Sequence, residues 1–220
     1  VPALLTSVGF VVGQIRGLDP IGTYASGAVA ITACALIGLT VLGRTRPKLR
    51  QYGFRTPTNL RACLWFLPAL AMPALVFAGS GWQVPPASVP VFAWLAVATA
   101  FNEEIWYRGS VLAAFRGRGA RYAVVASSAL FGVLHLANLA GGASPLYAVL
   151  QWLFATLFWF VAAELVAVSG SLWPAIVWHA VYDFTAFASG DALDANALVA
   201  LGVGSAILAA YAVWLWRRLP

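Results

Sequence analysis

Long apolar runs alternate with short polar or basic segments along the whole chain. A helix that crosses a bilayer needs ~20 mostly apolar residues. By that measure the sequence divides into eight runs, at about 1–15 (short), 21–43, 62–78, 90–115, 121–138, 146–169, 172–188 and 195–216. No internal repeat or low-complexity tract interrupts them. The pattern predicts an all-α fold: a polytopic helical membrane protein with about eight transmembrane helices, in which 1–220 form one integral-membrane domain.

Composition narrows this further. The chain is 62% hydrophobic and 9% charged, where soluble domains carry about 25% charged residues. The net charge of +6 raises the question of nucleic acid, and its distribution argues against that partner. The basic residues cluster between apolar runs, and no basic face is interleaved with aromatics. Arg44, Arg46, Lys48, Arg50, Arg55 and Arg61 fall in one connection, Arg116, Arg118 and Arg121 in a second, and Arg217 and Arg218 in the tail. The 188–195 turn has Asp191 and Asp194 and no base. With eight spans, all three basic segments share one side, and the positive-inside rule makes both termini cytoplasmic. Arg16 is the exception. The Ala-, Arg- and Trp-rich composition suggests a bacterial inner membrane.

Several residues have plain structural readings. Cys34 and Cys63 form no CxxC and read as small buried hydrophobes. Trp65, Trp94, Trp152, Trp159, Trp173, Trp214 and Trp216 read as packing or interface anchors. Pro68, Pro73 and Pro174 fall in or near the ends of spans, where proline bends or starts a helix. Glu164, near the end of its run, reads as interfacial or weakly structural.

The remaining polar residues inside the apolar runs are harder to dismiss. A charge in the hydrocarbon core is costly, and chains tolerate it when the group has a partner, a wet cavity or a function. Both histidines of the chain and two adjacent glutamates sit there. In Glu103-Glu104-Ile105-Trp106-Tyr107-Arg108, helix neighbours point ~100° apart, so the two glutamates face different ways. Arg108 follows Glu104 by four residues, a spacing at which side chains meet. Arg108 therefore neutralises Glu104 and leaves Glu103 free, deep in its span, as a general base for water. In Phe131-Gly132-Val133-Leu134-His135 the phenyl ring lies one turn before the imidazole. Asn138 is placed to hold the histidine tautomer, and Gly132 with Ser127 and Ser128 permits close helix approach. In His179-Ala180-Val181-Tyr182-Asp183 the i,i+4 pair can face one cavity. It fits an oxyanion-stabilising pair, a carboxylate orienting a histidine, or two metal ligands.

These three tetrads, in this order and on separate spans, resemble the CPBP family, the CAAX proteases and bacteriocin-processing (Abi) membrane proteins. Its signatures are EExxxR, FxxxH and HxxxN or HxxxD. Arg108-Gly109 and Gly170-Ser171-Leu172-Trp173-Pro174-Ala175 are family-like flanks. The resemblance covers about 95–185, the expected catalytic core. It implies an eight-helix intramembrane endopeptidase in which Glu103, with His135, activates the attacking water. Glu104 and Arg108, with Phe131 and Asn138, support the site, and His179 with the residue at 183 stabilises the oxyanion. Asp183 departs from the asparagine form. An ionised aspartate would repel an oxyanion, so it is protonated, orients His179, or binds a metal.

The resemblance favours a glutamate-activated water with no cofactor. Zinc held by Glu103, His135, His179 and Asp183 is the alternative. The implied partners are the bilayer and a membrane- or lipid-anchored protein or peptide precursor, cut near a terminus. Two other readings fit the polar cluster: a non-catalytic bacteriocin-immunity or scaffold protein, and a small proton-coupled transporter. The transporter lacks the expected inverted repeat.

Overall fold

Helix starts follow the caps written in the sequence. Asp19, Ser144 and Asp194 each accept a hydrogen bond from the backbone N–H three residues on, with proline following at Pro20 and Pro145. This is the preferred chemistry for the unpaired donors of a first turn. Gly170, at φ 67°, ends a helix by turning left-handed and bonding back to the Val166 carbonyl, a conformation that glycine alone adopts freely.

The computed structural model describes residues 2–45, 48–57, 60–139, 144–190 and 194–219. Arg46, Asp191 and the side chain of Asn138 lie outside the described residues. Within them the chain forms α1 (Pro2–Ile15), α2 (Pro20–Arg44), α3 (Ala71–Ser80), α4 (Val89–Glu103), a π-helix (Glu104–Val111), α5 (Leu112–Phe115), α6 (Ala120–His135), α7 (Pro145–Ser169), α8 (Trp173–Ser189) and α9 (Ala195–Trp216). No strand occurs among the described residues. The protein is an all-α helical membrane protein, and the eight apolar runs match its helical segments to within a few residues.

Two boundaries differ in kind. The 62–78 run opens as 3-10 turns, Leu60–Phe66 and Pro68–Leu70, before α3 begins. Pro68 and Pro73 cannot donate the backbone bonds of a regular helix there. The 90–115 run is one helical path in three parts, with the π-helix inserted after Glu103. Pro174 lies in the first turn of α8, where its missing donor costs nothing.

Among the described residues, four segments are long and apolar enough to cross a membrane by themselves: Pro20–Arg44, Cys63–Ser80, Pro145–Ser169 and Ala195–Trp216. The helices that carry the tetrads are shorter or interrupted. They are held by neighbours: α4 packs on α2 and α8, and α6 on α7, while α7 also packs on α9. The main core runs along α7, with Phe158, Val161, Ala162, Leu165 and Val166 almost wholly buried. Gly132 lets α6 approach α7 closely, since a Cβ there would clash with Thr156 Oγ1. Cys34 and Cys63 are free thiols, Cys34 buried and Cys63 partly so.

Glu164, five residues before the end of α7, is 0% exposed, and neither carboxyl oxygen has a hydrogen-bond partner.

Two outcomes are expected from thermal melts in detergent. Gly132→Ala lowers the melting temperature by several degrees, because overpacking costs about 1–3 kcal/mol, and Thr156→Ala in the same chain recovers part of the loss. Glu164→Met raises the melting temperature by a few degrees, because an unsatisfied buried polar group costs about 1–3 kcal/mol.

Candidate functional site

Adjacent residues of a helix diverge, and here Glu103 and Glu104 use that divergence to reach opposite edges of one ring. Glu104, the first residue of the π-helix, is fully buried and points at Arg108 and His179. Its Oε1 lies 3.0 Å from Arg108 Nη1 and 3.3 Å from His179 Nδ1. Glu103, the last residue of α4, places Oε2 3.7 Å from His179 Nε2. Asp183, one turn after His179 on α8, brings Oδ2 to 3.3 Å from the same Nε2, an ion-pair approach. Carboxylates thus flank both ring nitrogens.

Arg108 is as buried as its partner. Its Nη2 donates to the Trp159 carbonyl at 3.4 Å, and its guanidinium carbon sits 4.1 Å from the centre of the Trp159 ring. The same indole stacks on Phe131, with centroids 3.6 Å apart and planes 1° apart, and meets His179 edge-on at 4.7 Å. Phe131 in turn packs on His135 at 4.5 Å. The His135 Nδ1 lies 3.2 Å from the Phe131 carbonyl. A carbonyl only accepts, so Nδ1 is the donor and Nε2 is left as an acceptor.

Glu103, His135, His179 and Asp183 line one cavity of about 330 Å³, with aromatic walls from Tyr147, Phe154, Phe158, Trp159 and Tyr182. The structure thus brings side chains of all three tetrads together. Glu104, Arg108 and Phe131 lie behind its wall, bonded or packed to the residues that face it. The role expected of Asn138 falls on a side chain outside the described residues.

Three features escape the sequence. Glu104 does more than pair with Arg108, since it also bonds His179. Trp159, read as an anchor, touches one member of each tetrad: Arg108, Phe131 and His179. The π-helix begins at Glu104, and such insertions recur at functional sites. No spacing marked the π-helix in advance, and ten tryptophans gave no reason to single out one.

A zinc site needs three or four ligand atoms converging at about 2.0–2.2 Å for nitrogen and oxygen. Both nitrogens of His179 face carboxylates, and Nδ1 of His135 is bonded within its own helix. Among the described residues no group of three or more His, Cys, Asp or Glu side chains is placed to hold a metal ion.

Residues 85–185 match the family model for type II CAAX prenyl endopeptidase Rce1-like proteins. The match spans all three tetrads and agrees with the family they resemble. No curated protein matches the chain.

The buried pair yields a test that needs no substrate. Arg108→Met leaves the Glu104 carboxyl without its cation, and breaking a buried pair from one side costs about 3–5 kcal/mol. A large drop in melting temperature in detergent is expected. Glu104→Gln in the same chain restores much of it. Additive losses in the double variant would mean that the pair is not energetically coupled.

Proposed function

We propose that the protein is an intramembrane endopeptidase that hydrolyses a peptide bond near the terminus of a membrane-anchored protein or peptide precursor. The observation that carries this reading is the shared cavity. Glu103 and His135 face it from two helices, His179 and Asp183 face it from a third, and the family match covers all four.

Glu103 is the base. Its carboxylate accepts a proton from water while the water oxygen attacks the carbonyl carbon of the scissile bond. His135, with Nε2 free to accept, helps to hold that water. The attack turns the carbonyl oxygen into an oxyanion, and preorganised donors aimed at that charge are worth several kcal/mol. His179 Nε2–H, which lies 3.7 Å from Glu103 and 3.3 Å from Asp183 while Nδ1 faces Glu104, is such a donor once it turns from those carboxylates to the oxyanion. Asp183, 3.3 Å from His179 Nε2, is assigned to orienting His179 rather than to meeting the oxyanion, a role that avoids a clash of like charges. As the tetrahedral carbon collapses, the proton on Glu103 passes to the leaving nitrogen. The C–N bond breaks, giving a carboxylate and an amine.

Depth in the membrane shapes the substrate. Helical backbone is shielded by its own hydrogen bonds, so the segment cut must unwind before its carbonyl reaches Glu103. The aromatic walls favour apolar side chains beside the bond.

The test is processing in cells. Precursors encoded beside this gene are tagged and followed with wild type, Glu103→Gln, His135→Ala and His179→Ala at matched membrane levels. Glu103→Gln is expected to lower cleavage by at least a hundredfold, the scale of a lost general base, with a melting temperature near that of wild type. Cleavage should withstand chelators. Unchanged cleavage in Glu103→Gln and His135→Ala would assign the cluster to a scaffold or immunity role.

A further inference from the structure

The segment from Leu49 to Arg55 works as a strap across two turns of the bundle. At the α7–α8 turn, Arg55 Nε donates to the Gly170 carbonyl at 2.6 Å and Ser171 Oγ donates to the Arg55 carbonyl at 2.6 Å. Leu172 N–H donates to the Gly53 carbonyl at 2.9 Å. The Arg55 guanidinium lies so close over Gly170 that a Cβ there would strike it. At the turn between α5 and α6, Arg116 Nη1 donates to the Gln51 carbonyl at 3.0 Å. The strap thus fixes two guanidiniums in place, each through a backbone carbonyl.

These two cations lack an anion. The segments 44–61, 116–121 and 170–173 contain no Asp or Glu, and among the described residues no carboxylate pairs with Arg55 or Arg116. Both side chains are exposed. Partial burial lowers the Arg116 pKa from its ordinary value, and the charge of Arg55 lowers it further, so the two guanidiniums feel each other. A guanidinium carries five N–H donors in a fixed fork, and one hydrogen bond each leaves most of them unused. Two like charges held side by side with donors to spare suit an anion that accepts from two forks, and phosphate has that geometry.

Depth in the membrane decides which phosphate. Gly170 directly follows Pro145–Ser169, a helix long and apolar enough to cross a bilayer. Trp173, three residues on, is exposed and packs on Phe54 with ring centroids 5.9 Å apart. Tryptophan gathers at the headgroup level of a membrane, and lipid phosphates lie at that level.

We propose that Arg55 and Arg116 form a binding site for the phosphate of an anionic phospholipid headgroup. A zwitterionic headgroup is disfavoured, because it brings its own cation to a surface that already exposes Lys48, Arg50 and Arg118. The bound phosphate bridges the α5–α6 turn and the α7–α8 turn. From those turns start α6, which carries His135, and α8, which carries His179 and Asp183. The lipid therefore braces, from the membrane surface, helices that build the polar cluster. The site stands whether or not the cluster is a peptidase.

Thermal melts of the full chain in detergent test it, with phosphatidylglycerol or phosphatidylcholine added at equal ratios to protein. A ligand that binds only the folded state raises the melting temperature. Phosphatidylglycerol is expected to raise that of the wild type several degrees more than phosphatidylcholine does. The double variant Arg55→Gln, Arg116→Gln loses most of this difference. The double variant Arg50→Gln, Arg118→Gln removes the same charge nearby and keeps it. Each difference is read within one variant, so any stability lost with the Gly170 and Gln51 bonds drops out. Should the first variant fail to fold, Arg55→Lys, Arg116→Lys takes its place, with the same loss expected because an ammonium offers no fork. No lipid difference in the wild type, or a difference retained without the two guanidiniums, would overturn the proposal. So would an equal loss in Arg50→Gln, Arg118→Gln, which would mean diffuse attraction. A full gain from inorganic phosphate alone would reject the lipid as occupant.

Discussion

The site depends on one buried cation. Arg108 is wholly out of solvent, and an uncompensated charge there would be prohibitive. Glu104 compensates it from one turn away, the Trp159 carbonyl and ring take up part of the remaining field, and the same Glu104 oxygen bonds His179. The catalytic-looking imidazole is thus fixed by a group whose first obligation is to a guanidinium. Buried ion pairs are weak sources of net stability. Their value here is positional, because a pair that cannot be broken cheaply cannot drift.

That arrangement explains why short, interrupted helices carry the polar groups. A long, uniformly apolar helix is stable in lipid wherever it stands. The path from Val89 to Phe115 holds two carboxyls and a guanidinium and changes its winding at Glu104. It is enclosed by α2, α6 and α8, while α2, α7 and α9 supply much of the lipid-crossing length. Labour is divided between helices that satisfy the bilayer and helices that satisfy one another.

Much of this could be read from the chain. Apolar runs of about one bilayer span, separated by short polar or basic segments, placed the helices. The i,i+4 spacing placed Arg108 against Glu104 and Asp183 against His179, since that rule is local. What could not be read depends on the third dimension. The full burial of Glu164 is set by neighbouring helices, which its place near the end of α7 does not record. The contacts of Trp159 arise where three helices meet, and nothing within one helix records such a meeting. No residue type within 104–111 announces the change to π winding.

The indole of Trp159 has a consequence for how such a sequence can vary. It touches Arg108, Phe131 and His179, and those three residues lie on three different helices. Substitutions in the three motifs are therefore epistatic through a residue that belongs to none of them. A change of ring size at 159 alters the tolerance of all three positions together, so drift at this site proceeds in correlated groups. A chain that replaced the indole would have to settle its guanidinium, its phenyl ring and its imidazole anew in the same step.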